Sequence, residues 1–201
     1  MNFLAHVHLS ENAFEEIQIG NFIADFIKNN SLEKYPVLVQ KGIKLHRSID
    51  YFTDHHLVVQ ESKSKLYEKY HKYAAVIIDV FYDHFLAKNW HFYSSDGLHD
   101  LANQFTQILF KHQSILPERI QHSLTSMRQN NWLTSYATLE GIEFSLQRLN
   151  QRAKFKVGIE YAVVDLKKFY FELEDEFLRF YPELIEYVNK LLASDDYSSE
   201  R

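Results

Sequence analysis

This sequence predicts an all-α, single-domain helical bundle, and three observations predict it. Glycine and proline are scarce, five and three in 201 residues, so the chain lacks the punctuation of a many-stranded sheet. Apolar residues recur at spacings of three and four along much of the chain, the period of a helix with one buried face. The composition, 46% hydrophobic and 15% aromatic over this length, suits one sizeable core better than two. The expected boundaries are a helical domain over 1–193 and a disordered tail over 194–201, where small and charged residues replace the apolar spacing.

Two short helices are expected up to Asn30, broken near Ser10-Glu11-Asn12, where Ser10 or Asn12 can cap the second by accepting its first amide protons. Phe14, Ile17, Asn21 and Asp25 follow helical spacing in that second helix. Pro36 opens a third, and Val39, Ile43, Leu45 and Ile49 carry it to His55-His56. A charged stretch, Glu61 to Lys72, reads as solvated. Tyr73 to Trp90 is apolar on more than one side and is expected to be central. Ser94-Ser95-Asp96-Gly97 ends it, Leu98 to His112 forms the next helix, Pro117 opens another, and shorter helices continue through Trp132 and Gly141. Ile159 to Phe180 repeats apolar residues at three and four, and Pro182 restarts a final helix to Leu192.

Composition narrows the chemistry. Without cysteine there is no disulfide or thiolate metal site, so any metal must sit on His, Asp and Glu, in keeping with a reducing cytoplasm. The opening residues lack the pattern of a signal peptide, and no run of about 18 apolar residues occurs. A formal net charge of −5 argues against indiscriminate nucleic-acid binding. There is no Gly-x-Ser-x-Gly elbow, phosphate-cradling glycine loop or dinucleotide fingerprint.

Metal-assisted hydrolysis remains. Asp79 and Asp83 lie four apart within the apolar segment Ile77 to Leu86, where carboxylates need a cation or donors. His46 and Asp50 are four apart on another helix and can share a metal. Arg47, Asp50 and Asp54 form a neighbouring ladder, which is either a surface salt-bridge series or a phosphate grip through the guanidinium. His6, His8 and Asp25 stand in apolar surroundings, and His84 follows Asp83. Each alone is more simply a hydrogen-bonded core or capping residue; spread over four helical segments they can converge inside a bundle. The basic run Arg148, Arg152, Lys154 and Lys156 is either a solvated face or a dock for an acidic partner.

Four motifs, in order and spacing, resemble the acyl carrier protein phosphodiesterases: Asn2 to Leu9 (NFLAHVHL), Gly20 to Phe26 (GNFIADF), Gly42 to Asp50 (GIKLHRSID) with Thr53-Asp54, and Asp79 to Leu86 (DVFYDHFL). The likeness is strong over roughly the first ninety residues and continues more weakly to Phe180-Tyr181-Pro182. It implies a divergent HD-type metal phosphohydrolase fold, a divalent ion, most often Mn²⁺, and holo-acyl carrier protein as substrate. It also implies His6, Asp25, His46, Asp79 and Asp83 as metal ligands, with Arg47, Asp50 and His84 beside them as catalytic groups. HD enzymes place His before Asp; here the adjacent pair is Asp83-His84. In the mechanism so implied, metal-activated water attacks the phosphorus joining the carrier's serine to 4'-phosphopantetheine. Arg47 balances phosphoryl charge, and His84 or a neighbour on the His46 side supplies a proton to the leaving oxygen. Arg148, Arg152, Lys154 and Lys156, with Lys41, Lys44 and Arg128, would dock the acidic carrier. Two other readings fit the same residues: a phosphohydrolase acting on a nucleotide or small phosphodiester, and a non-catalytic module that binds a carrier protein.

Overall fold

The computed structural model describes residues 1–27, 29–130, 132–194 and 196–197. Among them are ten α-helices and no strand, as the apolar period predicts: α1 (Phe3–Leu9), α2 (Glu15–Ile23), α3 (Val37–His55), α4 (Leu57–Tyr70), α5 (Ala74–Lys88), α6 (Leu98–Lys111), α7 (Glu118–Gln129), α8 (Leu139–Arg152), α9 (Ala162–Lys168) and α10 (Tyr170–Leu192). Short 3₁₀ turns join several of them, including Ala24–Phe26, which carries Asp25. No helix among the described residues is long and apolar enough to cross a membrane.

Helix α5 runs through the middle and meets α1, α4, α8 and α10. Its buried residues lie on several sides, from Ile77 and Ile78 to Phe85 and Leu86, which is why its sequence shows no single apolar stripe. Helix α10 does show one: Leu173, Phe177, Phe180, Tyr181, Leu184 and Val188 are all buried. Fully burying a side chain of that size stabilises by about 1.5–3 kcal/mol, so this stripe alone is a major tie to the core.

Three expectations are corrected. Residues 61–72, expected to be solvated, lie largely in α4, whose Val59, Ser62, Leu66 and Tyr70 form a narrow buried face beneath an otherwise charged helix. The final pair of helices divides at Phe169, not at Pro182; α10 passes through Pro182 and forgoes the hydrogen bond that residue would have given to the Leu178 carbonyl. Neither Ser10 nor Asn12 caps α2, whose N-cap is Phe14; the Ser10 hydroxyl instead donates back to the His6 carbonyl at 2.9 Å. Of the expected tail, Ser194, Asp196 and Tyr197 are described, with Tyr197 packed against the core. Positions 195 and 198–201 lie outside the described residues.

The closest helix crossing is α2 on α3, and two glycines allow it. A Cβ on Gly20 would run into the Val39 carbonyl, and one on Gly42 into the Ile17 carbonyl. Gly20 directly precedes Asn21, and Gly42 lies one turn before His46, so this approach brings those two residues together.

Candidate metal centre

Asn21 is the hub. Its side-chain nitrogen donates to the His6 carbonyl at 2.7 Å and to Ser10 Oγ at 3.1 Å, so its Oδ1 is the atom facing His6 Nδ1, at 2.9 Å. An amide oxygen only accepts, and His6 therefore carries its proton on Nδ1. The Asn21 backbone carbonyl lies 2.8 Å from His46 Nδ1 and imposes the same tautomer there. The two imidazoles stack with centroids 3.9 Å apart and planes 14° from parallel.

With both Nδ1 atoms donating, both Nε2 atoms present lone pairs, and what they meet is carboxylate oxygen. His6 Nε2 lies 3.2 Å from Asp50 Oδ1. His46 Nε2 lies 3.1 Å from Asp50 Oδ2 and 3.2 Å from Asp25 Oδ1. Buried His6 Nε2 has no hydrogen-bond partner of acceptable geometry. Acceptor facing acceptor is repulsive unless a cation stands between them, either a proton or a metal ion. His6, His46 and Asp50 are together the one such His/Asp/Glu group among the described residues whose ligand atoms lie within 4.8 Å of one another. The donor set, two imidazoles and a carboxylate with a second carboxylate in reach, is one that could hold a divalent metal ion. An imidazole held by Nδ1–H to an oxygen and presenting Nε2 is also the usual arrangement of a metal-ligating histidine.

The imidazoles are buried, while the side chains of Asp50 and Asp25 are 40% and 63% exposed, so the group opens to solvent through its carboxylates. Burial pulls the His46 pKa down, but its hydrogen bonds to Asp25 and Asp50 overcome this and raise it to about 9. His6 falls to about 4, through burial first and then the neighbouring positive His46. Burial alone would raise Asp50, yet the two histidines hold it well below the usual carboxylate range. The hydrogen bond from His46 likewise lowers Asp25.

Asp79 lies beside this group. Its Oδ1 is 3.2 Å from the Met1 α-amino nitrogen, which is also 3.6 Å from Asp50 Oδ1. Burial raises the Asp79 pKa. Asp83, one turn on, is turned to α1: its Oδ2 accepts from the Leu4 amide at 2.7 Å and its Oδ1 from the Ala5 amide at 3.2 Å. His84 is not brought to the centre. Its Nδ1 donates to the Tyr136 carbonyl at 2.8 Å and its Nε2 accepts from the Tyr170 hydroxyl at 2.9 Å, both bonds internal to the packing. His8 pairs with the Tyr181 hydroxyl at 2.7 Å. Arg47 follows His46 on α3 and is exposed. Asp54 of the expected ladder pairs with Lys63 at 2.7 Å.

Arg148 and Arg152 lie four apart on α8 and are exposed. The Arg152 pKa is lowered by partial burial and then by the positive charges of Arg119 and Arg148. Arg119, on α7, lies over the Phe26 ring at 5.9 Å, next in the chain to Asp25. Lys154 and Lys156 follow in the loop after α8, where Lys156 donates to the Asn150 carbonyl at 2.6 Å. Asn21 joins the site without having stood out in the sequence as a site residue, and Arg119 is a second residue that the sequence did not single out. An amide on an apolar helix face is the available signal for Asn21, one it shares with Gln18 a turn earlier; nothing local marks Arg119.

The acyl carrier protein phosphodiesterase family matches this chain over residues 1–184. An acyl carrier protein phosphodiesterase of Serratia proteamaculans is 31% identical over 187 residues, covering 92% of this chain and 96% of its own. The protein of that name from Yersinia pestis is 32% identical over 186 residues with the same coverage. One from Escherichia coli O6:H1 is 30% identical over 191 residues, 94% of this chain and 98% of its own. No solved structure matches the chain.

Proposed function

Since the chain belongs to the acyl carrier protein phosphodiesterase family, we propose that it hydrolyses the phosphodiester joining 4'-phosphopantetheine to holo-acyl carrier protein, releasing apo-carrier and 4'-phosphopantetheine. The observation that carries the metal-dependent form of this reading is the pair of stacked imidazoles whose Nε2 atoms face carboxylate oxygens at 3.1–3.2 Å. His6, His46, Asp50 and Asp25 would hold a divalent ion, which we take to be Mn²⁺, with Asp79 beside them. Such an ion supplies Lewis acidity and lowers the pKa of bound water. Asn21 fixes both imidazole tautomers. The two half-exposed carboxylates leave the centre open to a substrate arriving from solvent. Arg47, one residue from His46, would balance charge on the phosphoryl oxygens through paired hydrogen bonds. The proton for the leaving serine oxygen is not assigned to His84, whose nitrogens are both engaged elsewhere.

Arg119, Arg148 and Arg152 would receive the acidic carrier protein, and the activity would then be cytoplasmic. The test is intact-mass analysis of holo-carrier incubated with the protein and Mn²⁺, beside a chelated sample and an Asp50→Ala variant. Loss of the prosthetic group only in the first is the expected result. An unchanged carrier mass with folded, Mn²⁺-loaded protein would overturn it.

A further inference from the structure

A helix of seven residues has little stability of its own, because nucleation fixes several dihedral angles for a single hydrogen bond. Helix α1 is that short, yet it carries His6 and must present that ring in one orientation. Its first amides also lack a local cap. Asn2 stands at the N-cap without a capping bond and gives its side-chain amide to the Tyr136 hydroxyl at 2.8 Å.

The cap comes from α5. Asp83 is fully buried, and its two oxygens take the amides of Leu4 and Ala5 at 2.7 and 3.2 Å. A carboxylate at a helix N-terminus satisfies orphan donors and meets the positive end of the helix dipole. Gripping two successive amides fixes both the height and the rotation of α1. A slip of one residue would turn His6 by about 100°. Asn21 then secures the same helix one turn later, through the His6 carbonyl and Nδ1.

We propose that Asp83 is a positioning residue that aims His6 Nε2 at Asp50 through α1, and that it does not act as a ligand of the ion. The inference rests on reading His6, His46 and Asp50 as a metal centre. It accounts for a carboxylate buried so deeply beside Asp79, since two helix amides satisfy its oxygens and the positive Met1 α-amino group favours its charged form, with no metal ion required at Asp83.

The test is Mn²⁺ affinity of the full chain, measured by electron paramagnetic resonance of the free ion, for the wild type, Asp83→Asn, His6→Ala and the double variant. Asp83→Asn is expected to bind about 10- to 100-fold more weakly, the usual cost of losing a residue that orients a ligand. The double variant is expected to bind no more weakly than His6→Ala, because no imidazole remains to be aimed. Losses that add, or an Asp83→Asn affinity equal to the wild type's, overturn the proposal. A wild type that takes up no Mn²⁺ removes the metal-centre reading as well, whereas failed coupling in a protein that binds Mn²⁺ removes the positioning role alone.

Should Asp83→Asn not fold, hydrogen exchange of the wild type decides the matter. Protection of the Leu4 and Ala5 amides that holds or rises on adding Mn²⁺ supports the positioning role. Protection lost on adding Mn²⁺ shows the carboxylate leaving the amides for the ion and overturns it.

Discussion

His6 and His46 are stacked 3.9 Å apart, yet their pKa values move in opposite directions, to about 4 and about 9. Burial disfavours a charge on both; the two carboxylates on His46 provide room for one positive charge, and that charge then opposes a second on His6. A proton on His46 and a metal ion at Nε2 are thus competitors for the same lone pair. In chelated protein, the raised His46 pKa contributes stability that is fully present below about 6.5 and is lost as pH rises through about 9. If His46 ligates Mn²⁺ as proposed, the ion must displace that proton, so its affinity is expected to rise with pH up to about 9 and then level, with proton release on binding. Isothermal titration in buffers of different ionisation enthalpy would read that release; binding without it, at neutral pH, would show that His46 is not a ligand. The proposed ligand pair can be picked out in the sequence, because His46 and Asp50 stand four apart on one helix. The tautomers cannot, because they depend on Asn21 reaching across from α2.

The helix pair α2 and α3 sets that reach. Gly20 and Gly42 let the two backbones meet where any side chain would collide with a carbonyl, and the Asn21 carbonyl thereby arrives 2.8 Å from His46 Nδ1. Gly42→Ala is expected to force the helices apart at a cost of about 1–3 kcal/mol, the range for overpacking a tight interior, and to weaken Mn²⁺ binding together with stability. A denaturation midpoint lowered with Mn²⁺ affinity unchanged would show that the crossing supports the fold without setting the site. Elements of this kind are only partly readable in the sequence. The nearly continuous apolar run of α5 and the strong apolar period of α10 announce them, whereas α4 is concealed by its charged surface. The break at Phe169 is hidden beside the more conspicuous Pro182, since a proline within a long, well-packed helix can be tolerated when tertiary burial outweighs one lost hydrogen bond. Motif order likewise identifies α5 as a site helix, but not that Asp79 turns to the centre while Asp83 turns to α1.

At the scale of the whole molecule, charge is divided. The chain is net negative, yet Arg119 and Arg148 both act on the charge of Arg152, and Arg119 lies over the Phe26 ring, next in the chain to Asp25. No ion pair of theirs with a carboxylate occurs among the described residues, so their charge is open to an incoming anion. If an acidic carrier is that anion, the guanidinium groups act on encounter and ground-state binding, not on the chemical step. Charge reversal at Arg119 or Arg152 is then expected to raise KM for holo-carrier by about tenfold at low salt, the effect of some 1.4 kcal/mol of lost attraction. The value of kcat and the hydrolysis of a small uncharged-tail phosphodiester are expected to stay as they were. Raising ionic strength to about 0.5 M should bring wild type and variants together, because the screening length then falls well below 10 Å. A KM insensitive to both salt and charge reversal would move the docking surface elsewhere on the molecule. Equal losses with carrier and small diester would instead place these arginines at the reacting phosphate.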